Sequence, residues 1–192
     1  MNYKELRNVL KQDYARYEIQ PFGRRTFWGY LLWLRIANYL SNKRKESLVF
    51  APPYVISAFV CKIASHVYQI QIPITTSIGG GLKFAHFSGI VIANSVVIGE
   101  NCTIHQNVTL GNGFSKNNSG HPVIGDNVVI FPGAVVAGNV KVGNHVLITA
   151  NAVVTKDVPN NSIVGGVPAK IIGVYNDETL SKFAKELYEV QV

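Results

Sequence analysis

Ile90-Val91-Ile92-Ala93-Asn94-Ser95-Val96-Val97-Ile98-Gly99-Glu100-Asn101-Cys102-Thr103-Ile104-His105-Gln106-Asn107-Val108-Thr109-Leu110 reads in sixes. Ile92, Ile98, Ile104 and Leu110 keep the beat. Working outward, it continues back to Phe84, Ile78 and Ile72, and forward through Ile124, Ile130, Val136, Val142, Ile148 and Val154. Two residues before most of these stands a second compact apolar residue: Ile70, Leu82, Ile90, Val96, Cys102, Val108, Val128, Ala134, Val140, Val146 and Ala152. Alternating inward residues suit short strands, and a Gly, Asn or Asp every six residues suits tight turns, so three sixes close one triangular coil. The pattern over residues 70–173 predicts a mainly β chain built on a left-handed parallel β-helix.

The phase slips twice. From Phe84 to Ile92 the interval is eight, with the surplus around Ala85-His86-Phe87-Ser88-Gly89. From Leu110 to Ile124 it is fourteen, which ejects a polar loop over residues 113–122 that ends in His121. A solenoid accepts insertions at its corners, so both slips project side chains away from the stacked core. Each slip carries a histidine.

The chain of 192 residues suffices for one filled core and a smaller appendage. An apolar fraction of 47% and a mean hydropathy of +0.16 argue against disorder and fit walls rich in Ile and Val. The formal charge is +7, with cations concentrated at Arg24-Arg25 and Lys43-Arg44-Lys45, outside the repeat. That charge reads as a solvated face, or as attraction to anionic lipid or a phosphate-bearing ligand. No nucleic-acid motif accompanies it, which argues against nucleic acid as a partner. Cys61 and Cys102 stand in no metal spacing and read as small core residues, and the five histidines do not cluster, so no metal site is expected. The opening Met1-Asn2-Tyr3-Lys4-Glu5-Leu6-Arg7 lacks the apolar run of a secretory signal, so a cytoplasmic location is expected.

Three regions follow from this reading: residues 1–69 as an N-terminal helical region, 70–173 as the β-helix, and 174–192 as a C-terminal helix. Residues 1–19 have the three-and-four spacing of an amphipathic helix through Tyr3, Leu6, Val9, Leu10 and Tyr14. Residues 26–40 are strongly apolar but hold Arg35 and Asn38, too short and too polar to span a bilayer. Residues 41–46 read as a basic turn, and a third helix over 53–67 starts at Pro52-Pro53. These helices are expected to cap the open end of the solenoid, whose strand edges need covering. The alternative is peripheral membrane contact through the aromatic face and the basic turn, residues 48–60 being the most membrane-like window. Residues 158–173 leave the repeat for a terminal turn and a closing strand, and 177–190 read as a short amphipathic helix.

Phe84-Ala85-His86-Phe87-Ser88-Gly89-Ile90-Val91-Ile92, Gln106-Asn107-Val108-Thr109-Leu110-Gly111, His121-Pro122-Val123-Ile124-Gly125-Asp126-Asn127-Val128 and Gly166-Val167-Pro168-Ala169-Lys170 together resemble the hexapeptide-repeat acyltransferases, within them the serine acetyltransferase branch. The resemblance implies acetyl-CoA as co-substrate and a homotrimer with active sites between solenoids. It makes His86 the base that takes the acceptor hydroxyl's proton, a task that suits an imidazole titrating near neutrality. It makes His121 the second active-site histidine, binding acceptor or intermediate, and puts oxyanion donors in the backbone near Gly111. Coenzyme A would lie along Gly111, Ala150, Val167 and Pro168, with Lys156 and Lys170 near its phosphates.

Three positions depart from the branch. Gln71 stands where an Asp orients the catalytic histidine, so the orienter would be Gln71 itself, a backbone carbonyl or an acid such as Glu100. Ala85 replaces the Asp that holds a serine ammonium, and Gly120 replaces the Arg that holds its carboxylate. Charge-assisted hydrogen bonds contribute about 1.5–3 kcal/mol each, so free serine fits poorly. Glu18 is the surviving candidate for an acceptor contact from the helical region. These departures favour a sugar of a capsular or exopolysaccharide unit as acceptor, with serine as the alternative. A trimeric scaffold without catalysis is the reading of another class. His105 and His145 read as solvent-facing corner residues without a role.

Overall fold

The computed structural model describes residues 2–17, 27–113 and 119–176. Arg24, Arg25, Glu18 and the expected helix over 177–190 lie outside them. The protein is mainly β, a left-handed β-helix preceded by helices.

Strands β1 (Ile70–Gln71), β4 (Ile90–Ile92), β7 (Thr109–Gly111), β10 (Val135–Ala137) and β13 (Val153–Val154) stack in parallel as a first face. The second face holds β2 (Ser77–Ile78), β5 (Val97–Ile98), β8 (Val123–Ile124) and β11 (Lys141–Val142). The third holds β3 (Lys83–Phe84), β6 (Thr103–Ile104), β9 (Val129–Ile130), β12 (Leu147–Ile148), β14 (Ser162–Gly165) and β15 (Lys170–Val174). Up to β13 each strand pairs with the strand three later, so one turn of three strands is the repeating unit.

Register exposes the two slips directly. Undisturbed coils pair residues eighteen apart, as Val91 with Thr109 and Val135 with Val153. Across the His86 slip the offset is twenty, Lys83 with Thr103, and across the second slip it is twenty-six, Thr103 with Val129. The surplus is confined to corners and the ladders continue unbroken. Inward residues of both sets are buried from Ile70 to Val154 save Ile78, which is partly so, with Leu110, Ile104 and Ile130 fully sequestered. Cys61 and Cys102 sit in this core, where burial pushes both thiols up to about 11.

The corners turn through left-handed residues, chiefly asparagine, at Asn101, Asn107, Asn127, Asn151 and Asn161. Asparagine tolerates positive φ because its amide bonds locally. His145 fills one such position and is exposed, which suits a turn role.

Helix α1 (Tyr3–Ala15) opens with a capping box of Asn2 and Glu5. A π-helical turn, Phe27–Leu31, leads into α2 (Leu32–Lys43), and a 3-10 turn, Leu48–Phe50, into α3 (Ala51–Tyr68). The expected basic turn over 41–46 is shorter than read: α2 continues through Lys43, because Ser41 is buried and so belongs to the packed face. The tail of the solenoid also differs. Not one closing strand but two follow, β14 extending the third face in parallel and β15 folding back antiparallel upon it.

The helices satisfy the first coil's open edge group by group. Asp13 accepts from the Leu82 N–H at 3.0 Å, and the Tyr17 hydroxyl accepts from the Phe84 N–H at 2.7 Å. Arg35 donates to the carbonyls of Ile78 and Gly79, both at 2.6 Å; Asn38 donates to Ile74 O, and Ser65 to Ile70 O. Arg35 and Asp13 also join each other through two bonds, 2.8 and 3.1 Å, in a buried pair. Burial pushes the Asp13 carboxyl up, while Arg35 and the Leu82 N–H pull against it. An edge strand left bare would offer unpaired groups to another chain.

Candidate active site

His86 stands on the corner between β3 and β4, thus between the third and first faces. Its two neighbours fix the bend. Phe87 meets Tyr68 at the end of α3 edge to face, with centroids 5.3 Å apart, and Ser88 Oγ donates to Gln69 Oε1 at 2.6 Å. Gly89 has φ +66, and the Asn107 amide of the next coil lies where a β-carbon would stand. His86 itself is exposed in the single chain.

Directly along the same corner lies His105. Its ring is 5.9 Å from His86 and stacks on Phe131, 5.0 Å away with an interplanar angle of 12°. It is half-buried, and burial, His86 and Lys83 lower its pKa to about 4, so the imidazole is neutral at physiological pH. The expectation that His105 faces solvent is therefore corrected. The position one past an inward residue suggests exposure, but the coil offsets of twenty and twenty-six place Ala85, His105 and Phe131 in one column.

His121 leaves the solenoid elsewhere. Its loop joins β7 to β8 and so stands on the corner between the first and second faces. Asn112 Oδ1 accepts the Gly120 N–H at 2.8 Å and closes the loop's base. Gly120 has φ +146, and an added β-carbon would stand 2.9 Å from Asn139 Cβ. This backbone admits glycine and resists any side chain, arginine included.

Most of the remaining predicted residues lie about the same two corners. Ala150 follows β12 on the His86 corner and is exposed, and Val167 and Pro168 lie in the β14–β15 turn, whose Gly166 carbonyl accepts from Val153 on the first face. Lys170 opens β15 and is exposed. Gly111 ends β7 and Lys156 follows β13, both on the His121 corner. The Gly111 carbonyl already accepts the Gly138 N–H, so that group belongs to the ladder. Gln71 faces out of β1, exposed, two residues beyond Gln69. Glu100 lies between β5 and β6, on the third corner, and cannot orient His86 within one chain.

One recess of about 300 Å³, lined by Arg35, Asn38, Asn42 and residues 74–78, contains none of the predicted residues. It belongs to the junction of α2 with the first coil. Among the described residues, no three His, Cys, Asp or Glu side chains converge as metal ligands would.

A triangular solenoid of six-residue repeats with a histidine on each of two corners defines the class: a hexapeptide-repeat protein of the left-handed β-helix type. Residues 121–156 match the family model described as bacterial transferase hexapeptide (six repeats). The serine acetyltransferase of Staphylococcus aureus (strain Mu50) is 38% identical over 150 residues, covering 78% of this chain and 65% of the relative. The crystal structure of serine acetyltransferase from Brucella abortus strain S19 superposes with a TM-score of 0.72 at 28% identity, covering 91% of this chain and 71% of that one. The same enzyme in complex with coenzyme A gives a TM-score of 0.70 at 28% identity, over 90% and 68% of the two chains. The chain is thus similar to the hexapeptide-repeat acyltransferases, and among them to the serine acetyltransferases. It spans about two thirds of the length of the curated relatives it matches, 65% for the Staphylococcus aureus protein.

Proposed function

We propose that the protein transfers an acetyl group from acetyl-CoA to an acceptor hydroxyl, in sites formed where the His86 corner of one copy faces the His121 corner of the next within a homotrimer. The observation that carries this reading is the placement of the two histidines on different corners of one solenoid. One chain alone holds half a site. Head-to-tail contact around a threefold axis brings unlike surfaces together and closes after three copies.

His86 Nε2 or Nδ1 accepts the hydroxyl proton as the oxygen attacks the thioester carbonyl. The tetrahedral oxyanion is met by backbone N–H groups beyond the end of β7, and collapse expels the thiolate of coenzyme A, which the imidazolium protonates. The neutral His105 ring and Phe131 form a wall beside His86 that adds no second positive charge to the imidazolium. Lys156 and Lys170 serve the nucleotide phosphates, one from each corner. The names of the relatives favour serine over a capsular sugar as acceptor. Ala85 and the side-chain-excluding backbone of Gly120 favour an acceptor without a free ammonium and carboxylate, which keeps the sugar as a second reading.

Acetyl-CoA turnover with serine and sugar acceptors tests both. His86→Ala is expected to lower turnover about 10²–10⁴-fold. Equal turnover with and without His86 would favour the scaffold reading. Mixing equal amounts of unfolded His86→Ala and His121→Ala chains and refolding them adds a geometric test. Random trimers restore about one site in four, since every mixed trimer has one interface with both histidines. If both came from a single chain, mixing would restore nothing.

A further inference from the structure

The outward face of α3 carries an apolar stripe that begins in the 3-10 turn before it. Leu48 of that turn is 83% exposed, and on α3 Val55 is 62%, Phe59 64% and Val67 69% exposed, with Ile56 and Ile63 on the same stripe. The opposite face packs inward through Ser57, Cys61 and Ala64. The segment Leu48–Tyr68 reaches a mean hydropathy of 1.6 in its most apolar window, long and apolar enough to cross a bilayer by composition. Packing excludes that orientation: Ser65 Oγ bonds Ile70 O, and Tyr68 braces Phe87. The helix lies along the body of the protein.

What surrounds the stripe is cationic. Lys43, Arg44 and Lys45 immediately precede it, with Arg44 held over the Tyr54 ring at 3.9 Å, and Lys62 flanks it near Phe59 and Ile63. Glu46 is the one carboxylate of this segment, and it is engaged by Lys43 at 2.6 Å. From residue 47 to 99 the sequence has no Asp or Glu. Pairing this face with a second copy would set cations against cations. An anionic surface neutralises them while taking up the apolar stripe.

We propose that α3 and its basic turn dock the protein flat on an anionic lipid surface, with the 48–67 stripe sunk at the headgroup boundary. A basic rim beside an exposed apolar helix is the arrangement by which interfacial helices combine area and charge. Docking there sets the Tyr68–Phe87 brace, and with it the His86 corner, close to the bilayer. The proposal does not depend on acetyl transfer.

Flotation of the full chain with phosphatidylcholine vesicles, and with vesicles containing about 30% phosphatidylglycerol, tests it at low and high salt. Binding is expected to the anionic vesicles alone, weakening with salt. Lys45→Glu and Lys62→Glu should each weaken it about fivefold or more. Ile56→Ser with Phe59→Ser, both exposed and thus harmless to folding, should weaken it at least about tenfold. Particle mass and melting temperature should stay at the parent values. No flotation, equal flotation of the apolar variant, or a variant that instead dissociates a larger assembly would overturn the proposal, the last by assigning the face to another copy.

Discussion

Replacing Arg35 with leucine isolates the pair that seals the first coil. The substitution removes two bonds to Asp13 and one each to the Ile78 and Gly79 carbonyls. Ile78 lines the recess beside Asn38 and Thr75, so water can reach its carbonyl and that loss is partly offset. Asp13 has no such relief. It is fully buried and retains only backbone donors such as the Leu82 N–H, so an uncompensated carboxylate dominates, at about 3–5 kcal/mol. At about 2–4 °C per kcal/mol for a chain of this size, the melting temperature should fall about 6–20 °C. Thermal denaturation of Arg35→Leu, Asp13→Leu and the double variant forms a cycle. The double variant should be less destabilised than the two singles added, by about 1–3 kcal/mol, because the second change removes a partner already orphaned. A drop below about 3 °C for Arg35→Leu, or additivity within about 0.5 kcal/mol, would refute the reasoning.

Two further outcomes follow from the His86 corner. His105 has its folded pKa depressed to about 4 against 6.5 unfolded, so its neutral form contributes stability that is present above pH 6.5 and lost as the pH falls towards 4. Because the ring is partly exposed, the loss is about 1–2 kcal/mol, and denaturant titrations of His105→Gln should show a flatter pH profile across that window. Gly89→Ala places a methyl group on the Asn107 amide at positive φ, which should cost about 1–3 kcal/mol in urea unfolding and lower turnover more than Gly133→Ala, the equivalent change two coils further along the same corner.

The solenoid was legible because period six repeats often enough to survive two interruptions, and because the interruptions announce themselves as surplus residues. His105 was not, since one corner histidine looks like another until the coils are superimposed with the right offsets. The Asp13–Arg35 pair was hidden for a different reason. A charge between apolar residues of a helix reads as solvent-facing, and its partner on another helix leaves no trace in spacing. Nor does sequence say which corner a residue occupies relative to another, so the separation of His86 from His121 became visible only with three faces drawn. Ala85 and Gly120 were readable as departures. That Gly120 is a backbone requirement rather than a vacancy needed its φ.

The eighteen-residue rung has a consequence for how such a chain can change length. Deleting or duplicating one full turn above the Thr109–Gly111 tier would leave each flanking strand opposite a suitable neighbour, with the hairpin at the top still meeting a matching edge. Height would change by one strand spacing, about 4.8 Å, with the base of the column untouched. An excision that cuts into the strands and is not a multiple of the rung, unlike one taken from the surplus at a corner, would turn the upper portion about the axis and carry its lysines off their corners. Length in this molecule is quantised.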